Sequence, residues 1–158
     1  VAEARRIVAA FAASVVAMAV AGTLAQTHFV LAALERAGAP IMLSDRLAMS
    51  AADLVGFAPL YAAIVAAGFA VAFLVGGLVR KWLLLPRILV FAVAGAGCIA
   101  LMLYLMQAVF FGIPLIAGTR TVAGALSQIG LGAVAGAIFA KIISPMREGA
   151  PNQRNIAT

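Results

Sequence analysis

The sequence predicts an all-α polytopic membrane protein: a four-transmembrane-helix bundle with a short outer interfacial helix. Three observations predict it. Hydrophobic residues make up 66% of the 158 residues and charged residues only 10%, against an apolar share of roughly 45–50% in soluble domains. Four runs, 7–27, 58–79, 88–112 and 121–140, contain no Asp, Glu, Lys, Arg or His, and each is long enough to cross ~30 Å of hydrocarbon. The runs show no alternation of period two, so their backbones satisfy themselves as helices rather than as barrel strands. A soluble globule, a disordered tail, a coiled coil and a disulfide scaffold are excluded on the same grounds. The single cysteine, Cys98, lies inside a run.

The first span opens after Arg5 and Arg6, which gives it the look of a secretory signal. Its apolar stretch, Ile7 to Ala25, exceeds the ~7–15 residues of a signal core, and an uncleaved helix is expected. Good helix formers continue through Phe29–Ala37 until Gly38 and Pro40, a helix-ending pair. A helix from Arg6 to Ala37 is about 48 Å long, so it protrudes from the outer face, tilts, or bends near Gly22.

The outer connection, 38–57, holds a second pattern. Ser44 is placed to cap a short helix, with Asp45 in its first turn. Leu47, Ala51, Leu54 and Val55 then share one face, with Asp45, Arg46, Met49 and Asp53 away from it. Such a helix is expected to lie in the outer interface. Gly56 ends it, and Pro59 opens the second span. Arg80–Arg87 forms a tight hairpin with Trp82 at headgroup level, leading into the third span. The apolar connection Ile113–Arg120, with Pro114 and Gly118, leads into the fourth. Residues 1–143 read as a single transmembrane domain and 144–158 as a cytoplasmic tail, without internal repeats.

Orientation follows from the basic residues. With the N-terminus inside, Arg5, Arg6, Arg80, Lys81, Arg87, Lys141, Arg147 and Arg154 are cytoplasmic, whereas only Arg36, Arg46 and Arg120 are outside. That asymmetry in short loops predicts a bacterial-type inner (plasma) membrane protein with both termini cytoplasmic. The net charge of +6 and the pI near 10.8 are thereby assigned to headgroups, and nucleic acid is not expected as a partner.

Small residues recur at four-residue spacing. Gly124, Gln128, Gly132, Gly136 and Ala140 form such a stripe in the fourth span, and Gly68, Ala72 and Gly76 in the second. Ala9, Ala13, Ala17 and Ala21 do so in the first span, and Ala92, Ala96 and Ala100 in the third. Close backbone approach is what holds helices together in lipid. The plain reading is packing within one bundle; the sharper one sets a stripe, above all that of the fourth span, against another subunit.

Most polar residues of the spans fall in the outer half. Gln107 ends the third span and Gln128 begins the fourth, so an antiparallel hairpin is expected to bring them near one another. The outer edge also collects His28, Asp53 and Arg120. If the fold joins them, Asp53 and Arg120 pair and His28 senses outside pH; otherwise His28 is an interfacial anchor and Arg120 snorkels to headgroups. Together with Tyr61 and Tyr104 these residues make a candidate polar site in the outer half.

No ionisable residue lies deep in a span, which speaks against a proton-coupled transporter. One histidine is too few for bis-histidine haem ligation within one chain, and neither a metal-spaced set nor a phosphate loop is present. A serine hydrolase would need His28 as its base, with no oxyanion motif beside it. The expectation is therefore not an enzyme but an accessory or structural subunit packing against other membrane proteins. Lipids, other subunits or copies of itself are its expected partners. The alternative is a homo-oligomeric channel or transporter for a small solute, ion or lipid, with Tyr61, Tyr104, Gln107, Arg120 and Gln128 along its path. A further alternative is quinone or lipid binding by Tyr61, Gln107 and Arg120 near Phe110 and Phe111. No cofactor is predicted; bound lipid or quinone is the ligand class these alternatives admit.

Overall fold

Helix α1 runs from Ala2 to Arg36 without interruption at Gly22, about 52 Å at 1.5 Å per residue. Its end is the expected glycine stop. Gly38 takes φ 92°, and its N–H donates to the Glu35 carbonyl (2.9 Å) while that of Ala39 donates to Leu34 (3.1 Å). These two bonds close a Schellman turn, whose left-handed residue is best a glycine. The computed structural model describes residues 2–82, 85–109 and 116–144. Leu83, Leu84, Phe110, Phe111, Pro114 and the tail from Pro145, with Arg147, Glu148 and Arg154, lie outside the described residues.

Helix α2, Leu43–Gly56, begins one residue before the position where Ser44 would cap it. The cap is Met42, whose N–H donates to Asp45 Oδ2 (2.9 Å). The Asp45 carboxylate thus reaches back to the N–H of the cap residue, and no side chain takes the place that the serine was expected to fill. After Phe57, α3 (Ala58–Trp82) begins, followed by α4 (Arg87–Val109). A 3-10 turn at Ala117–Arg120 precedes α5 (Val122–Ile143), where Thr121 caps the helix by accepting from Gly124 N–H (3.1 Å). Arg120 thus sits in the turn before the helix rather than in it. All five are α-helices, no strand occurs among the described residues, and α1, α3, α4 and α5 are long and apolar enough to cross a membrane.

The four long helices pack in a ring, α1–α5–α4–α3, each against two neighbours. Contacts across the bundle fix their directions. The start of α1 and of α4 meets the end of α5 through Arg6 and Arg87, so these ends share one face, called here the terminal face. The opposite, loop face carries α2 and the 3-10 turn.

Glycine governs the tightest crossing, between α4 and α5. A Cβ on Gly95 would strike the Gly132 carbonyl, and one on Gly136 the Phe91 carbonyl. The small-residue stripe of α5 is buried inside the chain throughout, at Gly124, Gln128, Gly132, Gly136 and Ala140. Gly68 serves the α3–α4 contact similarly, its missing Cβ lying 2.7 Å from Cys98 Sγ. Gly76 is less crowded, with Ala94 Cβ at 3.4 Å.

Toward the terminal face the interior is aromatic. Phe73 stacks on Phe139 (4.4 Å between centroids) and on Phe69 (4.8 Å), and Phe91 meets both Phe73 and Phe139 edge-on. Toward the loop face the interior turns polar, with Thr23, Thr27, Tyr61 and Gln128 all at 2% exposure or less.

Candidate functional site

The polar layer is built on three helices. Tyr61 projects from the first turn of α3, where its ring stacks on Phe57 (5.4 Å). Its hydroxyl donates to Gln128 Oε1 of α5 (3.0 Å), and Gln128 Nε2 donates to the Gly22 carbonyl of α1 (2.8 Å). Gly22 is small for this purpose, since a Cβ there would come within 2.8 Å of Tyr61 Cε1 and 2.9 Å of Gln128 Oε1. One buried glutamine therefore ties α1, α3 and α5 together. Beside it, Thr23 Oγ1 and Gln26 Oε1 are buried without a hydrogen-bond partner among the described residues. A backbone contact seals the layer: Gly118 of the 3-10 turn lies against Gln26, leaving no room for a side chain.

At the upper edge of this layer α2 is attached. Thr27 Oγ1 lies 2.6 Å from Asp53 Oδ2 and 3.0 Å from the Thr23 carbonyl; its single proton goes to one of them, and the carboxylate is the nearer. Eight residues further along α1, Glu35 pairs with Arg46, the one ion pair among the described residues. The two links run in opposite order along the two helices, so α2 stands alongside the last turns of α1, antiparallel to it.

The two faces of α2 separate as the sequence pattern has them at Leu47 and Val55 against Arg46 and Asp53, and differ at Leu54. Asp53 and Arg46 lie on the side turned to the bundle, together with Leu54, while Leu43, Leu47 and Val55 are 72%, 64% and 81% exposed. The physical reason is that the projecting end of α1 offers a hydroxyl and a carboxylate, and polar groups are buried where they find partners.

The remaining expected members of the outer site are dispersed. Tyr104 is 68% exposed on α4, and Gln107, His28 and Arg120 are exposed as well. Gln107 does not meet Gln128, whose amide is taken up by Tyr61 and Gly22. Asp53 pairs with Thr27 rather than Arg120, and His28 makes an edge contact only with Phe29 (6.0 Å). Of the seven residues, the fold brings Tyr61 and Gln128 into direct contact and sets Asp53 at the border of the same layer.

Two arginines matter in a way the sequence reading missed. Arg6 Nε donates to the Ile142 carbonyl (2.6 Å) and its Nη2 to that of Ser144, while Arg87 Nη1 donates to Ile143 (3.0 Å). The last carbonyls of α5 have no partners within the helix, and cations there also complement the dipole. Their placement at the starts of two long apolar helices was the available signal.

Chemically the polar layer is a clamp. It holds no nucleophile with an adjacent base, and no group of three or more His, Cys, Asp or Glu among the described residues is placed to hold a metal. Compared with known proteins, the chain matches no family model, no curated protein and no solved structure.

Proposed function

We propose that this protein is an accessory or structural subunit of a membrane assembly, held to a neighbouring membrane protein through the outward apolar face of α2. The supporting observation is the posture of that helix. A hydrocarbon layer of ~30 Å takes up roughly 20 residues of α1, counted from its basic start, and the turns carrying Thr27 to Arg36 project beyond it. Because α2 stands upright beside these turns, Leu43 and Leu47 sit near the level of Glu35, clear of the lipid. Apolar side chains kept out of both the bundle and the bilayer mark a contact surface. The filled interior fits the same role, since Phe69, Phe73, Phe91 and Phe139 pack ring on ring inside the bundle.

The test is gentle extraction from native membranes followed by native mass spectrometry. A defined hetero-complex is expected, and the double change Leu43→Ser, Leu47→Ser releases the partner without lowering the melting temperature of the chain. Recovery of the wild type only as a monomer or homo-oligomer refutes the accessory role.

A second reading, a pathway between copies of the chain, is favoured by one feature: Tyr104 and Gln107 face outward on α4. In that case vesicles reconstituted with the pure protein conduct or transport, and Gln107→Leu alters selectivity. Gln128→Leu belongs to stability under either reading, because its amide is internal.

A further inference from the structure

At the terminal face a cavity of about 550 Å³ opens between the helix ends, lined by Glu3, Arg6, Arg80, Arg87 and Phe91 among others. Three guanidiniums from three helices face one carboxylate. None of them forms an ion pair with an acid among the described residues. Two are fixed in place: Arg6 and Arg87 are bonded to the end of α5, and Arg6 and Arg80 are the like charges that bear on Arg87. Arg80 is exposed and makes no hydrogen bond to the described residues. Holding three like charges together at the edge of a low-dielectric bundle is costly unless an anion joins them. Guanidiniums suit a phosphate in particular, because each can donate two parallel N–H bonds to its oxygens.

A second feature starts from the same helix ends. An apolar groove of about 870 Å³ runs along the outer seam of α3 and α4, from Val79 and Leu89 at the terminal face to Ile64 and Val109 at the other end. Gly76, one turn before Arg80 on α3, and Val90, one turn after Arg87 on α4, both line it. Gly97 deepens the groove midway, since a Cβ there meets nothing within 4 Å. A cationic cup at the head of an apolar channel is complementary to an amphiphile with an anionic head.

We propose that this face binds an anionic phospholipid, its phosphate held by Arg6, Arg80 and Arg87 and one acyl chain laid in the α3–α4 groove. The site requires the bundle to sit in a membrane but not the accessory role, so the absence of a copurifying partner leaves it standing.

The experiment offers the purified full chain an equimolar mixture of phosphatidylglycerol and phosphatidylcholine, then counts the lipids retained by native mass spectrometry. Phosphatidylglycerol is expected to be retained preferentially. Arg80→Gln, which removes the guanidinium that supports no other part of the fold, lowers that preference about fivefold, as befits one basic residue. Gly97→Leu, which fills the groove at an open position, lowers retention several-fold, while Arg36→Gln at the opposite face changes nothing. Equal retention of the two lipids by the wild type, or an undiminished preference in folded Arg80→Gln, overturns the site. Unchanged retention in Gly97→Leu overturns the groove as the seat of the chain. Displacement of the lipid by excess inorganic phosphate, with no effect of Gly97→Leu, would show a site for soluble phosphate and overturn the lipid assignment.

Discussion

Gly136 and Gln128 lie two turns apart on the same buried stripe of α5, yet they hold the bundle in different ways, and magnitudes separate them. At Gly136 an added methyl collides with the Phe91 backbone, which no rotamer change relieves. Overpacking of this kind costs about 1–3 kcal/mol, and α4 and α5 must move apart along their whole crossing. Gln128→Leu keeps the volume and removes two hydrogen bonds, each worth about 0.6 kcal/mol on average between membrane helices and about 1.7 at most. Equilibrium unfolding in mild detergent should therefore rank Gly136→Ala as more destabilising than Gln128→Leu. Gly130→Ala, on an open face of the same helix, should stay within about 0.5 kcal/mol of wild type. A double-mutant cycle of Tyr61→Phe with Gln128→Leu should give a coupling of about 1 kcal/mol. Coupling near zero would mean that the tyrosine hydroxyl does not bond the amide. The four-residue spacing of the stripe was legible in the sequence, because small residues every four positions line one helix face. That Gln128 would turn to Tyr61 and Gly22 rather than to Gln107 was not: the packing of Gly95 on Gly132 and of Gly136 on Phe91 sets Gln128 level with Ile99, about two turns from Gln107, and that register comes from contacts between helices rather than from any local pattern.

At the scale of elements, the four long apolar helices and the glycine stop of α1 could be read because they are local. Apolar runs fix the helices to within a few residues, and a glycine followed by proline fixes the end. Helix α2 shows the limit of local reading. Its amphipathic pattern is in the sequence, but which face turns inward depends on Thr27 and Glu35, residues of another helix that are 26 and 11 positions away. No side chain of α2 is buried, so its attachment rests largely on the Asp53–Thr27 hydrogen bond and an exposed ion pair. The latter type of contact contributes only about 0.2–1 kcal/mol, whereas a hydrogen bond to a charged group contributes about 1.5–3 kcal/mol. Thr27→Val should thus loosen α2 more than Glu35→Gln does. Hydrogen exchange of amides 47–56 should quicken in Thr27→Val while the protected core of α3 is unchanged. If exchange in α2 responds only to Glu35→Gln, the ion pair is the stronger tether and the ranking is wrong.

Taken whole, the molecule is polarised twice along its long axis. Its interior passes from packed phenylalanines at the terminal face to a hydrogen-bonded layer at the loop face. Its charges divide in the same sense: Arg5, Arg6, Arg80, Lys81, Arg87 and Lys141 lie at the terminal face, and Arg36, Arg46 and Arg120 at the loop face. The fold gives that division a structural basis, because the up-and-down course of four long apolar helices collects these basic flanks on two opposite ends. In short loops the richer end is retained in the cytoplasm, and an anionic leaflet reinforces the choice by about 1 kcal/mol per basic residue near its surface. The terminal face is therefore predicted to be cytoplasmic. Single cysteines in a Cys98→Ala background measure this directly, since Ser44 and Lys141 are exposed at opposite ends of the bundle. A maleimide that cannot cross the membrane should label Ser44→Cys on intact cells and Lys141→Cys only after permeabilisation. The reverse pattern would set the arginine cup against the outer leaflet, and the partner of α2 would then have to be sought on the cytoplasmic side.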